Sequence, residues 1–272
     1  MGDKRLRAII LNDFSQSKLK ESVKLANKIK AGFSCLCLLW VVGYAESAYS
    51  ADPILTDLDR AYYYPDLEGL RSMTAGMKVE QLNPSTQSYF NLPVVRVEWS
   101  AEDQKIHFAL SDSEISGEAA EYALNVVENF KQMIFPSTLE RQLETYQGTI
   151  EKDSAGTVYA KFTARNSSSH ITEYNLWVDS TKRRIQKMKI AQSDGPSPIN
   201  IEFAYTTHKG KWRIEESRAQ FNYEGYDFEE NTHFSFVKDK EYWLVRKIDQ
   251  KLKRNGILIQ SYILTLDPIQ VN

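Results

Sequence analysis

The sequence predicts an α+β fold whose body is mostly an antiparallel β-meander. From Ala155 to Leu266, eight segments rich in aromatic and β-branched residues alternate with short polar turns. Turns recurring every ten to fifteen residues are the pattern of consecutive antiparallel strands. One long amphipathic helix is expected at Glu118–Phe135, in a chain otherwise read as strand and turn. With no helical partner of equal length, it must bury its apolar stripe on the sheet.

The expected strands are Thr157–Arg165, Glu173–Ser180, Arg184–Gln192, Ile199–Thr207, Lys211–Tyr223, Asp227–Val237, Glu241–Lys251 and Ile257–Leu266. His208-Lys209-Gly210, Glu224-Gly225 and Arg254-Asn255-Gly256 supply turn residues between the later ones.

Before the meander, Asp52-Pro53 starts a helix with a capping carboxylate and a first-turn proline. Leu55, Leu58, Ala61 and Tyr62 follow at helical spacing, and Tyr64-Pro65 ends it, because the residue before proline leaves the α region. A first strand is expected at Met77–Leu82 and a turn-rich loop at Asn83–Pro93. Val94–Ser100 and Lys105–Leu110 form a hairpin in which Val95, Val97 and Trp99 oppose Ile106, Phe108 and Leu110. The helix that follows places Ala119, Tyr122, Ala123, Val126, Val127, Phe130, Met133 and Ile134 on one stripe. Ser137–Thr145 reads as a short helix, and Tyr146–Glu151 opens the meander.

Charge is divided along the chain. Residues 1–50 hold eight Lys/Arg against four Asp/Glu, and the remainder holds 26 against 32. An acidic body without a basic stripe argues against a nucleic-acid partner. Both cysteines, Cys35 and Cys37, lie in the apolar stretch Ala31–Ala45, so the body has no disulfide, cysteine nucleophile or thiolate metal site. That stretch follows Lys18, Lys20, Lys24, Lys28 and Lys30 and precedes Ala45, Ala48, Ser50 and Ala51. A basic flank, a short apolar core and small residues describe a secretory signal peptide, cut after Ala45 or after Ser50. An uncleaved anchor in the inner membrane is the alternative, although a span needs roughly 20 apolar residues. Residues 1–50 are therefore expected to be the leader and 51–272 a single exported domain.

Catalytic signatures are missing. His107, His170, His208 and His233 are scattered, and there is no nucleophile elbow, phosphate loop or dinucleotide fingerprint. Glu215-Glu216 and Glu229-Glu230 are adjacent on expected strands and so point to opposite faces. No catalytic residue, cofactor or metal ligand is assigned.

Asn175-Leu176-Trp177-Val178-Asp179, then Arg184-Ile185-Gln186-Lys187, Phe203-Ala204-Tyr205 and Gly210-Lys211-Trp212, resembles the core of the LolA-like superfamily. That family spans periplasmic lipoprotein carriers, mycobacterial lipid-binding lipoproteins and RseB-type lipid-sensing domains. Leu58–Met77 and Arg96-Val97-Glu98-Trp99 are similar to its opening helix and early sheet. The family's arginine-proline step is absent, and no lid arginine is assigned. The resemblance implies an antiparallel sheet curved into an incomplete barrel, with helices over its concave face and acyl chains between the two layers. The implied lining is Tyr62, Leu70, Met73, Val127, Phe130 and Met133, joined by Trp177 and Phe203 in preference to Trp212. It also implies a periplasmic carrier or sensor of lipids or lipidated proteins. Two other readings stay open, an envelope interaction module with a filled core and a hydrolase with unrecognised residues.

Overall fold

Three hairpins turn on the same two-residue loop, and that loop sets the register of each. Lys209-Gly210 joins His208 to Lys211, Glu224-Gly225 joins Tyr223 to Tyr226, and Asn255-Gly256 joins Arg254 to Ile257. In each loop both residues have positive φ, between 49° and 81°, the geometry that matches strand twist. The computed structural model describes residues 53–152 and 156–272, so the expected leader and the capping Asp52 lie outside the described residues.

Among the described residues the sheet has 13 strands. The meander runs β5 (Tyr146–Lys152), β6 (Thr157–Ala164), β7 (Ile171–Asp179), β8 (Arg184–Gln192), β9 (Ile199–His208), β10 (Lys211–Tyr223), β11 (Tyr226–Asp239), β12 (Tyr242–Arg254) and β13 (Ile257–Val271). β13 then pairs antiparallel with β1 (Ser72–Asn83), which carries the hairpin of β3 (Val95–Ser100) and β4 (Ile106–Leu110) on its other side. β4 and β5 are the two ends of the path, so the sheet curves without closing. The fold is an α+β incomplete barrel, as expected.

Helices α1 (Pro53–Ala61), α2 (Glu118–Glu128), α3 (Lys131–Ile134) and α4 (Leu139–Gln142) share one apolar cluster with one face of the sheet. Leu58, Ala123, Val127 and Phe130 from the helical layer meet Met77, Val97, Ile201, Ile248 and Leu264 from the strands.

Four local expectations are corrected. The first strand begins at Ser72 rather than Met77, which puts Met73 on it, opposite Val271. The loop expected over residues 83–93 contains a short strand, β2 (Ser88–Asn91), paired with β1. The last strand continues past Leu266 because a bulge admits Pro268. Ala75 pairs with Ile269 and Met77 with Leu266, leaving Gly76 against two residues. A Cβ on Gly76 would stand 3.0 Å from the Asp267 carbonyl oxygen. Finally, the helix expected over 118–135 breaks at Asn129-Phe130, where the amide donors reach back three residues to Val126 and Val127. The break lets Phe130 meet Tyr262 edge-on at 5.7 Å while Phe135 stacks on Trp99 at 3.8 Å.

A row of directly opposed residues crosses the inner face of the sheet, Gln81–Tyr262–Gln250–Thr232–Ser217–Phe203. Beside Thr232 and on the same face lies Glu230, 3% exposed, with Oε1 lacking a hydrogen-bond partner among the described residues. Burial pushes its carboxyl from the usual 4.5 up to about 8, a rise that a hydrogen bond with Gln250 moderates.

Two outcomes follow from these elements. Gly225 faces open space at φ +81°, so Gly225→Ala is expected to cost about 1–2 kcal/mol through backbone conformation alone, read from the urea midpoint. Glu230 keeps its proton in the folded chain between pH 4.5 and about 8, where the unfolded chain has lost it. Its contribution is therefore complete below the unfolded value and falls as pH rises through that window. Urea titrations of the wild type against Glu230→Gln should diverge across it, by roughly 5 kcal/mol at the upper end. Parallel profiles would refute the buried, protonated carboxyl.

Candidate functional site

α1 stops at Ala61, and the next three residues are tyrosines that share one structural task. Tyr62 bridges to Trp212 in parallel, and the Tyr63 amide donates to the Trp212 carbonyl at 2.9 Å. The segment Tyr62–Tyr64 thus lies along the start of β10, with Pro65 turning the chain away.

The Tyr62 hydroxyl accepts from the Ile185 amide at 2.9 Å and lies 2.9 Å from the Tyr205 hydroxyl. Tyr205 donates to the Ile185 carbonyl at 2.7 Å. Its one proton is thereby used, so Tyr62 must donate to Tyr205, and the loop of bonds closes. Burial pushes the Tyr62 phenol up to about 12 and raises Tyr205 well above the ordinary value, so both are neutral donors.

Tyr64 donates to Asp59 Oδ1 at 2.7 Å. The same carboxylate accepts from the amides of Leu139 at 2.7 Å and Glu140 at 3.0 Å, which ties α1 to the start of α4. Thr56 adds a bond to Glu140. Burial raises the Asp59 carboxyl, opposed by those two amides and by Tyr64.

Between this wall and the sheet lies a cavity of about 160 Å³. Its helical side carries Met133, Ile134, Pro136 and Leu139. Its sheet side carries Ile185, Met188, Ile201, Phe203, Trp212, Phe234, Phe236 and Val245. Arg213 is the only charged side chain in the lining among the described residues. A second cavity, of about 460 Å³, lies between the β3–β4 hairpin and α3–α4. It is polar, with Lys105, His107, Lys131, Arg141, Asp66 and Glu144 in its walls. The two cavities share Gln132, Pro136, Ser137 and Gln142 as a partition.

Of the residues singled out in the sequence, Tyr62, Met133 and Phe203 come together on the apolar cavity. Leu70, Met73, Val127 and Phe130 lie in the packed core, each at most 2% exposed. Trp177 points to the other face of the sheet from Leu176 and Val178, beside Tyr159 and under Lys187. Trp212 lines the cavity instead, its indole donating to the Lys182 carbonyl at 2.8 Å.

Sequence reasoning passed over Tyr205, Arg213 and Trp243. A bulge between Ile214 and Glu216 shifts the register of β10 against β9. The alternation along Lys211–Tyr223 therefore does not reveal that Arg213 turns inward. For Tyr205 a signal existed, an aromatic on the same strand phase as Phe203.

Elsewhere the histidines are dispersed. His107 pairs with Asp103 at 2.8 Å and His233 with Glu216 at 3.7 Å, while His208 packs against the rings of Tyr63 and Trp243. Among the described residues no three His, Cys, Asp or Glu side chains converge on a metal position, and no helix is long and apolar enough to cross a membrane.

The sequence matches no family model and no curated protein. In three dimensions the chain course is similar to solved LolA-like structures. A LolA superfamily protein from Nitrosomonas europaea aligns over 83% of this chain and 94% of its own, at 11% identity and a TM-score of 0.33. A DUF1329 family protein from Desulfovibrio piger covers 81% and 94%, at 8% identity and 0.32. The MucA/MucB complex of Pseudomonas aeruginosa contributes a chain covering 81% and 94%, at 10% identity and 0.21. The likeness is one of distant chain course, and no residue role passes across it.

Asp59→Ala would leave the first two amides of α4, Leu139 and Glu140, and the Tyr64 hydroxyl without their acceptor. A loss of about 2–3 kcal/mol is expected, measured by urea unfolding. A loss below about 0.5 kcal/mol would mean that Asp59 does not hold the helical layer in place.

Proposed function

We propose that the protein binds acyl chains of lipids or lipidated proteins between its helical layer and its sheet, as a carrier or sensor in the cell envelope. The observation that carries this reading is the apolar cavity bounded by Tyr62, Met133, Ile201 and Phe203. At about 160 Å³ it is comparable to engineered apolar cavities of about 150 Å³ that stay dry and take up benzene. Such a space holds one end of a chain. The rest enters by parting α3–α4 from the sheet, where those helices are four residues each. Each buried methylene contributes about 0.8 kcal/mol, so even a short buried segment gives measurable affinity.

Export through the basic, apolar leader of residues 1–50 belongs to the same reading and places the domain of residues 51–272 in the periplasm. The lining offers no carboxylate, imidazole or thiol among the described residues, which favours binding over hydrolysis. A second reading draws on the other end of the helical layer. There Ala123 and Val127 are fully buried against the sheet, as in an interaction module whose core is filled.

The deciding experiment uses an uncharged probe. Protein purified from a bacterial periplasm without detergent is examined by native and denaturing mass spectrometry, then titrated with decanol. A stoichiometric acyl ligand, or saturable decanol binding that Phe203→Glu weakens by about tenfold or more while folding survives, is the expected result. A ligand-free protein that takes up neither decanol nor a charged probe of the same chain would overturn the acyl reading and favour the filled-core module.

A further inference from the structure

At the strand end of the apolar cavity stands a cation that forms no ion pair among the described residues. Arg213 is 9% exposed, and its Nε and Nη1 have no hydrogen-bond partner among the described residues. Its guanidinium carbon lies 4.1 Å from the ring centre of Phe236, 4.8 Å from that of Trp243 and 5.9 Å from that of Tyr63. Rings can hold a cation by its face, but they leave the in-plane N–H donors unmet.

The neighbours add donors of their own and no anion. Trp243 Nε1 and Ser217 Oγ, both on the same cavity wall, also lack partners among the described residues. Of the acids nearby, Glu215 is exposed on β10 and acts on Arg213 only through its charge, without an ion-pair contact, and Glu68 is engaged by Lys211. His208 behind Trp243 feels the same excess, with burial first and then Arg213, Lys209 and Lys238 holding it below its ordinary value.

We propose that Arg213 is the anchor for an anionic headgroup, so that the ligand of this cavity is an acyl or alkyl chain ending in a carboxylate or a phosphate. This rests on the acyl-binding reading and adds its chemical class. A guanidinium offers parallel donors to two oxygens of such a group, and the Trp243 indole adds a third donor. Aromatic walls then exclude water from the ion pair, while the chain runs along Phe203, Ile201 and Met133.

Decanoate, decyl phosphate, decanol and decylammonium, equal in chain and different only in headgroup, are titrated into the purified protein by calorimetry. The wild type is expected to bind one or both anions at least about tenfold more tightly than decanol, and decylammonium most weakly. Preference for decanoate alone points to a free fatty acid, and preference for decyl phosphate alone to a phospholipid. Arg213→Met should erase the preference, bringing anion and decanol affinities to within about threefold of each other. If that variant does not fold, Arg213→Lys replaces it, and the preference should narrow by about threefold or more as the forked donor is lost. Equal binding of decanol and both anions, or a preference unchanged in the variant, would overturn the anchor and leave the acyl reading intact. Absence of binding by all four would overturn both.

Discussion

The seam between β1 and β13 is the contact on which the rest of the structure depends. It pairs residues nearly two hundred positions apart, from Met73 with Val271 to Gln81 with Tyr262. At its end the Arg71 amide donates to the Asn272 carbonyl at 3.0 Å, and the Asn272 amide to Ser72 at 3.1 Å. Without it the chain would be a meander with one exposed long edge and a separate small hairpin. Pairing across the seam sets β3–β4 beside the meander and gives α2 a continuous surface on which to bury Ala123 and Val127. Closing so long a loop costs entropy, but the cost grows only slowly with length. A strand of fifteen residues can offset it, and the bulge at Gly76 and Pro268 keeps both halves of that strand in register.

A second constraint acts on the helical layer. The helices after α2 are too short to be stable alone, so their positions must come from side-chain bonds. Asp59 supplies the main one, holding Leu139 and Glu140 by their amides and Tyr64 by its hydroxyl. Tyr62 and Tyr205 do the same for the opposite wall through Ile185. These polar groups are all satisfied by one another, which lets them border an apolar space without aiming unmet donors into it. The cavity is held open by hydrogen bonds on its rim and not by any shortage of apolar residues.

These two constraints differ in how visible they are in the sequence. Strands of the meander could be read to within a few residues, because alternation and Gly-containing turns are local signals. The register of Val95, Val97 and Trp99 against Leu110, Phe108 and Ile106 was legible for the same reason. β2 was not, since Ser88–Asn91 is four residues long and exposed throughout, so no buried face imposes a pattern. The break at Phe130 was hidden because its position fits the helical stripe equally well whether or not the helix continues. In the site, Tyr62, Met133 and Phe203 were visible as apolar residues on the right elements. Leu70, Met73, Val127 and Phe130 carry the same signature, and only three-dimensional packing separates core from cavity wall. Arg213 carries no local mark at all, because a bulge changes the phase of its strand.

Glu230 and Arg213 show how differently a fold can tolerate an ionisable group that it buries without an ion pair among the described residues. Removing a charge from water costs several kcal/mol. Glu230 avoids most of that by keeping its proton, which is why burial lifts it to about 8. A guanidinium has no such escape. Burial lowers the Arg213 value, yet the side chain stays charged in any folded protein. The three rings around it offset part of the cost and leave its donors unmet. A buried acid can therefore be a resting feature of the core, satisfied by a proton from solvent. A buried arginine at the end of an apolar cavity is complete only when an anion arrives from outside the chain.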